Sequence, residues 1–260
     1  MSTERLPGKG RYSRAKQKRF QETAVFVHHY GGHAASVKPH QDFLNDLGMD
    51  SVAFTLSNGH RLGLLNKIDK PVLKDAHLLL RKRWINEITD VLNAVPGPKI
   101  VYSFSFPSAP ALISMSARKD VRAWICDGGP FLMLLTCLWN YFTHIEPTPI
   151  WLRPTRVSLS AASLEVWDLA EDLHSALNKL PQNFPVLSIR AWQDQLVPIE
   201  AIDKVFSGNN SGLHLETLTL PEAGHIDGLQ RFPEEYKPRV AKFLNQYATT
   251  LNASHEIPAH

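Results

Sequence analysis

Short, unbroken apolar runs alternate along this chain with stretches whose apolar residues recur at helical spacing, and that alternation admits few folds. The first run, Ala24-Val25-Phe26-Val27, has no polar residue on either side of the pleat, as in a strand buried on both faces, and it breaks into His28-His29-Tyr30-Gly31-Gly32. A helix is predicted over 36–47, with Phe43, Leu44 and Leu47 on one face and Gly48 as its stop. A strand over 51–56, a loop over 57–71 and a long helix over 72–95 follow, the last ended by Pro96-Gly97-Pro98. Strands are expected over 100–104 and 121–126, with a helix over 109–117 between them. Strands alternating with helices predict an α/β fold, a mostly parallel central sheet with helices on both faces.

The rhythm breaks between Gly129 and Pro181, where three tryptophans (Trp139, Trp151, Trp167), a proline-rich middle and a helical stretch over 162–180 occur. Residues 130–180 are therefore expected to form a helical cap inserted over one end of the sheet. Its most apolar run, 131–142, suits either the lining of an acyl or aromatic pocket or the ordinary core of the insertion. The pattern then resumes with strands over 186–191 and 213–220, a helix around 200–206 and a last helix over 233–251. The predicted core is thus 21–129 plus 181–251, with 252–260 a C-terminal tail.

Residues 1–20 hold seven Lys or Arg against one acid, which leaves 21 basic and 24 acidic side chains in the remainder, so the overall charge of +3 is a property of the N-terminus. A basic flexible arm is expected there, and no nucleic-acid partner, because the body lacks the positive surface that tracks a phosphate backbone. Two cysteines, Cys126 and Cys137, are too few for a disulfide scaffold, and no C-x-x-C pair exists. With no apolar stretch of bilayer-spanning length and no apolar h-region at the N-terminus, a cytoplasmic protein without a transmembrane segment is expected. No G-x-G-x-x-G follows the first strand and no G-x-x-x-x-G-K-[ST] occurs, so neither a dinucleotide nor a P-loop site is expected. His28, His29, His33 and His40 cluster in sequence, but without the H-E-x-x-H or H-x-H-x-D-H offsets of metal sites; no metal and no cofactor are expected.

Open α/β sheets build their sites beyond the C-terminal ends of strands. Three polar groups fall there. Ser103-Phe104-Ser105-Phe106-Pro107-Ser108 runs from a strand directly into a helix, so a serine at the turn projects above the sheet with the Phe106 amide beside it. Gln193-Asp194-Gln195-Leu196-Val197-Pro198 follows the strand 186–191, and Ala223-Gly224-His225 follows 213–220.

In this order the chain resembles the α/β-hydrolase superfamily over about residues 23–250. His28-His29-Tyr30-Gly31-Gly32 is similar to its H-G-x-x-G oxyanion loop, Ser103-x-Ser105-x-Pro107 stands where the superfamily has G-x-S-x-G, and Asp194 and Gly224-His225 match its acid and histidine loops. Serine, acid and histidine follow in the superfamily's order, 89 and 31 residues apart. The resemblance implies Ser105 as nucleophile, His225 as general base, Asp194 as orienting acid, and the amides of Tyr30 and Phe106 as an oxyanion hole. It implies a serine hydrolase of esterase or thioesterase type acting on a small-molecule acyl substrate.

The departures from the pattern are Ser103, Pro107 and His29 in place of glycines. Pro107 suits the first turn of a helix but biases Phe106 away from helical torsions. These substitutions keep a second reading open, a weak or inactive relative that binds a ligand or partner. Asp127, in Cys126-Asp127-Gly128-Gly129-Pro130, is an alternative acid or a site-shaping turn residue. The Asp194 carboxylate has its own alternative, closing an Asx-turn before Leu196, and Asp227 is expected to be a solvated loop residue.

Overall fold

A computed structural model describes residues 6–57, 79–207 and 212–251. All but the first residue of the loop expected over 57–71, the first turns of the helix begun at 72, and the tail 252–260 lie outside the described residues. Seven strands form one sheet: β1 (Arg11–Ser13), β2 (Thr23–Val27), β3 (Asp50–Ala53), β4 (Lys99–Phe104), β5 (Val121–Asp127), β6 (Pro185–Ala191) and β7 (His214–Leu220). Their order is β1-β3-β2-β4-β5-β6-β7, and every pairing is parallel except β1 with β3.

The helices are α1 (Lys38–Asp46), α2 (Leu80–Ala94), α3 (Ser108–Met115), α4 (Leu134–Asn140), α5 (Arg153–Ser163), α6 (Leu169–Lys179), α7 (Ile199–Ser207), α8 (Gly228–Arg231) and α9 (Pro233–Tyr247). A π-helical turn, Tyr141–Ile145, continues α4. Every residue of β2 and β4 is buried, with successive residues facing opposite cores, which explains why these strands carry no polar face. Val25, Val27 and Val101 join one core with residues of α2, α3, α6 and α7, while Ala24, Phe26, Ile100, Tyr102 and Phe104 join the other with α1 and α9. Both faces of the sheet are covered, as predicted.

The register sets the C-terminal ends of the central strands level. Val27 pairs with Ser103, Ser103 with Cys126, Phe104 with Asp127, and Asp127 with Ile189. The loops that follow these strands therefore open at one edge, where open parallel sheets form their crevice.

Two expectations are corrected. Residues 6–20 are not a free arm. β1 adds an antiparallel strand to the sheet edge, Phe20 is only 1% exposed and bridges Thr250, and the Arg19 amide donates to the Gly48 carbonyl at 2.7 Å. The basic residues were read as a solvated run because their partner is remote in sequence. Arg14 and Lys18 both reach the buried Asp50 carboxylate, which also accepts from the Ala15 amide. Burial alone would raise the Asp50 carboxyl, but these three partners outweigh it and hold it below the ordinary value. The last helix, expected over 233–251, ends at Tyr247. After Tyr247 the chain turns back, so that Gln21 and Leu251 amides donate to Thr249 and Arg19 carbonyls.

The second correction concerns the helix expected over 162–180 and with it the extent of the cap. Two helices occupy that stretch, separated at Glu165, which takes left-handed torsions (φ 51°). The second, α6, places Leu169, Leu173, Ala176 and Leu177 in the same core as Val101, Trp124 and Leu112. It serves as the crossover helix that a parallel β5–β6 pair requires. Only about 131–165 lies outside the regular β-α-β order.

Candidate active site

Ser105 is the first residue after β4 and has φ 54°, a left-handed conformation that non-glycine residues rarely adopt. Its amide donates to the Asp127 carbonyl at 2.8 Å, and its own carbonyl accepts from the Ser108 amide at 3.0 Å, so the turn is closed on both sides before α3 begins. Pro107 sits at the N-cap of α3 with φ −57° and ψ −11°, torsions compatible with its ring, and costs the helix no hydrogen bond there.

Space for the turn comes from the loop after the neighbouring strand β5 instead of from glycines at 103 and 107. A Cβ at Gly129 would stand 2.3 Å from the Ser105 carbonyl oxygen. Ser103 is buried within β4, where its hydroxyl accepts from the Trp124 indole N–H at 2.8 Å. Ser105 is thus the serine that the strand-to-helix turn projects.

His225 joins the two other candidates. Its Nδ1 lies 2.6 Å from Asp194 Oδ2 and its Nε2 lies 2.8 Å from Ser105 Oγ. Because a carboxylate only accepts, Nδ1 carries the ring proton, which leaves Nε2 as acceptor for the serine hydroxyl. The Asp194 carboxylate closes the Asx-turn and also contacts the histidine. Oδ2 faces the histidine, while Oδ1 accepts from the Leu196 and Val197 amides at 2.8 Å each and so closes the Asx-turn. The loop that holds Asp194 is therefore fixed by the carboxylate itself.

The histidine loop has a comparable brace that the sequence reading missed. Asp227, expected to be solvated, accepts from the Gly224 amide at 2.9 Å through Oδ1 and from Arg231 at 3.2 Å through Oδ2. Between them, Ile226 has φ 53°, an outlying conformation for a β-branched residue. An acid two residues beyond a histidine, with a basic residue four later on a short helix, was the available signal.

Asp127 is not the partner of His225. Its Oδ2 accepts from the Tyr236 hydroxyl at 2.7 Å, and that hydroxyl is also hydrogen-bonded to Tyr102. Burial pushes the Asp127 carboxyl up to about 7, with the Tyr236 hydrogen bond and the nearby His225 opposing the rise. The sign of the consequence is set by linkage. The folded chain keeps a proton that the unfolded chain loses above the ordinary value of 3.8, so this carboxyl lowers stability progressively from about pH 4 to about pH 7. Asp127→Asn keeps an acceptor for Tyr236 and removes the titration. The melting temperature of the variant relative to wild type should rise across that window and level off above it, as read by thermal unfolding at a series of pH values. A difference independent of pH would show that Asp127 ionises normally.

The four clustered histidines diverge. His28 donates from Nδ1 to the His29 carbonyl at 2.7 Å and accepts at Nε2 from the Leu56 amide at 2.9 Å; burial lowers it to about 4. His29 donates to the Tyr30 carbonyl at 2.9 Å, His33 pairs with Ser36, and His40 is packed against the rings of Tyr102, Phe104 and Tyr236, where burial lowers it to about 3. Neutral His28 thus pins the loop that carries Tyr30. Among the described residues, no group of three or more His, Cys, Asp or Glu side chains is arranged to hold a metal ion. No helix among them is long and apolar enough to cross a membrane.

Ser105, Tyr30 and Phe106 border one cavity of about 50 Å³. Among the described residues no backbone carbonyl accepts from the Tyr30 or Phe106 amide. The helical face formed by Leu134, Cys137, Leu138, Tyr141 and Phe142 borders this cavity, while Phe131, Leu134 and Cys137 also belong to the main core, so the run 131–142 meets both alternatives read from it. Ser105 and His225 together border a second cavity of about 800 Å³.

No protein-family model matches the sequence, and no curated protein matches it. Solved structures do resemble the fold. An esterase of Pyrococcus furiosus is 19% identical, with 91% of each chain covered and a TM-score of 0.61. A monoacylglycerol lipase of Paleococcus ferrophilus is 14% identical, covering 91% of this chain and 98% of the lipase, with a TM-score of 0.60. A proline iminopeptidase of Mycobacterium smegmatis is 13% identical, covering 91% and 94%, with a TM-score of 0.62. The chain has the α/β-hydrolase fold.

Proposed function

We propose that this protein is a serine hydrolase that cleaves carboxylic esters or thioesters through an acyl-enzyme, with Ser105 as nucleophile, His225 as general base and Asp194 as orienting acid. The observation that carries the reading is the unbroken hydrogen-bond chain from Asp194 through His225 to Ser105, ending on a left-handed serine that faces a cavity. Neutral His225 accepts the Ser105 proton at Nε2 as Oγ bonds to the carbonyl carbon. Asp194 stabilises the imidazolium, and the Tyr30 and Phe106 amides, beside the positive end of α3, receive the oxyanion. Collapse breaks the bond to the leaving group, which takes the proton from Nε2, and water deprotonated by His225 then releases the acid. Similarity in fold to an esterase and a lipase agrees with this chemistry. The segment 131–165 acts as the cap over the site.

A fluorophosphonate probe tests the reading without knowledge of the substrate, because an unactivated serine hydroxyl reacts poorly. Labelling is expected at Ser105, with loss in Ser105→Ala and retention in Ser108→Ala. A folded protein that stays unlabelled across probes of several sizes would overturn the proposal in favour of a binding protein on the same fold.

A further inference from the structure

The two cavities differ in size and in chemistry, and they adjoin along a shared border that includes Ser105, Tyr30, Tyr141 and Leu196. The smaller, of about 50 Å³, is bordered by Phe106, Phe131, Leu134, Cys137, Leu138 and Leu164 and contains no charged group. The larger, of about 800 Å³, is bordered by Arg83, Glu146 and Arg156 as well as by Trp84 and Leu159. Arg156 is held there with one nitrogen on Glu146 at 2.6 Å and another on Thr148 at 2.8 Å, its guanidinium 4.9 Å over the Phe142 ring. That chamber has a mixed, polar and apolar wall.

Which part of the substrate enters which cavity follows from the proton transfer. The leaving-group atom must receive a proton from His225 Nε2, so the leaving group lies on the side that the histidine borders. His225 borders the large chamber and not the small one. Phe106 borders only the small one, whereas Tyr30 stands between the two and borders both. The acyl chain therefore points into the small apolar cavity. A cavity of about 150 Å³ accepts a benzene-sized group, so a third of that volume holds an acyl group of about two to four carbons.

Resting on the serine hydrolase reading, we propose that the substrate is a short-chain acyl ester of a bulky, partly polar alcohol or thiol, with acyl length limited by Leu164 and Leu138 at the walls of the small cavity. Leu164 is the first residue beyond α5 and buried; Leu138 lies on α4 and is half-buried. Neither touches a residue of the hydrogen-bonded chain Ser105–His225–Asp194 through a polar contact, so both act on size alone.

The test is a series of p-nitrophenyl esters from acetyl to octanoyl, followed by acetyl esters of alcohols from ethanol to naphthol. Expected are a fall in kcat/KM of at least about tenfold from butanoyl to octanoyl, in line with the steric penalty of overfilling a packed pocket, and no penalty for the bulky acetates. Leu164→Ala should shift the optimum to longer acyl chains while the acetyl ester is still cleaved; if that variant does not fold, Leu138→Ala, at a less buried wall, should shift it in the same sense. Octanoyl esters cleaved as fast as acetyl esters, or rejection of bulky alcohols with acceptance of bulky acyl groups, would overturn the assignment while fluorophosphonate labelling leaves the hydrolase reading standing. Absence of both labelling and ester cleavage would remove the two together.

Discussion

Replacing Asp194 with Asn should lower kcat for ester cleavage by about 10⁴-fold with the fold retained, a loss of the size expected when a triad histidine is held in the wrong tautomer. The substitution is nearly isosteric. Its amide oxygen can keep the Leu196 and Val197 amides that Asp194 Oδ1 now accepts, so the loop survives. The amide nitrogen then replaces Oδ2 and faces His225 Nδ1 as a donor. The ring proton moves to Nε2, which can no longer accept from Ser105. Asp127 offers no rescue, because its carboxylate is engaged by Tyr236. Steady-state kinetics with a short acyl ester, alongside a thermal melt, checks the outcome. An activity within tenfold of wild type would show that Asp194 does not set the tautomer.

The second large effect is expected at Gly129→Ala. A Cβ there would lie 2.3 Å from the Ser105 carbonyl oxygen and 2.8 Å from its carbonyl carbon. Backbone cannot yield as a flexible side chain would, so the turn bearing Ser105 must shift or the strand end must. Overpacking of this kind costs about 1–3 kcal/mol, and displacement of the nucleophile by about 1 Å costs roughly 100-fold in rate. A lowered melting temperature together with a fall in kcat of that order is expected, with slower fluorophosphonate labelling. An unchanged labelling rate would show that the turn does not depend on the clearance at Gly129.

These two substitutions fall on opposite sides of what was legible in advance. The meeting of Ser105, Asp194 and His225 could be suggested from linear sequence because each follows a strand in a parallel sheet, and the register brings such loops to one edge. Gly129 could not be recognised as the support of the Ser105 turn. Its importance is a distance between two backbones that are neighbours only because β4 and β5 pair. The same reason hid the brace of Asp227 on Gly224 and the engagement of Asp127 by Tyr236, which is 109 residues away. It also hid the docking of the N-terminal segment, whose charges meet Asp50 across more than thirty residues of chain.

Periodicity and position along the chain determined the parallel sheet, its covering helices and the strand ends at which chemistry could be built, since these depend on local burial pattern and on the short reach of loops. Tertiary structure alone decided where the inserted segment ends and α6 begins, that Tyr236 engages Asp127, and which side chains wall the two cavities beside Ser105. Each of those outcomes is a distance of a few ångströms between residues far apart in sequence, and hydrogen bonding and packing choose among such pairs only once the whole chain has closed around them.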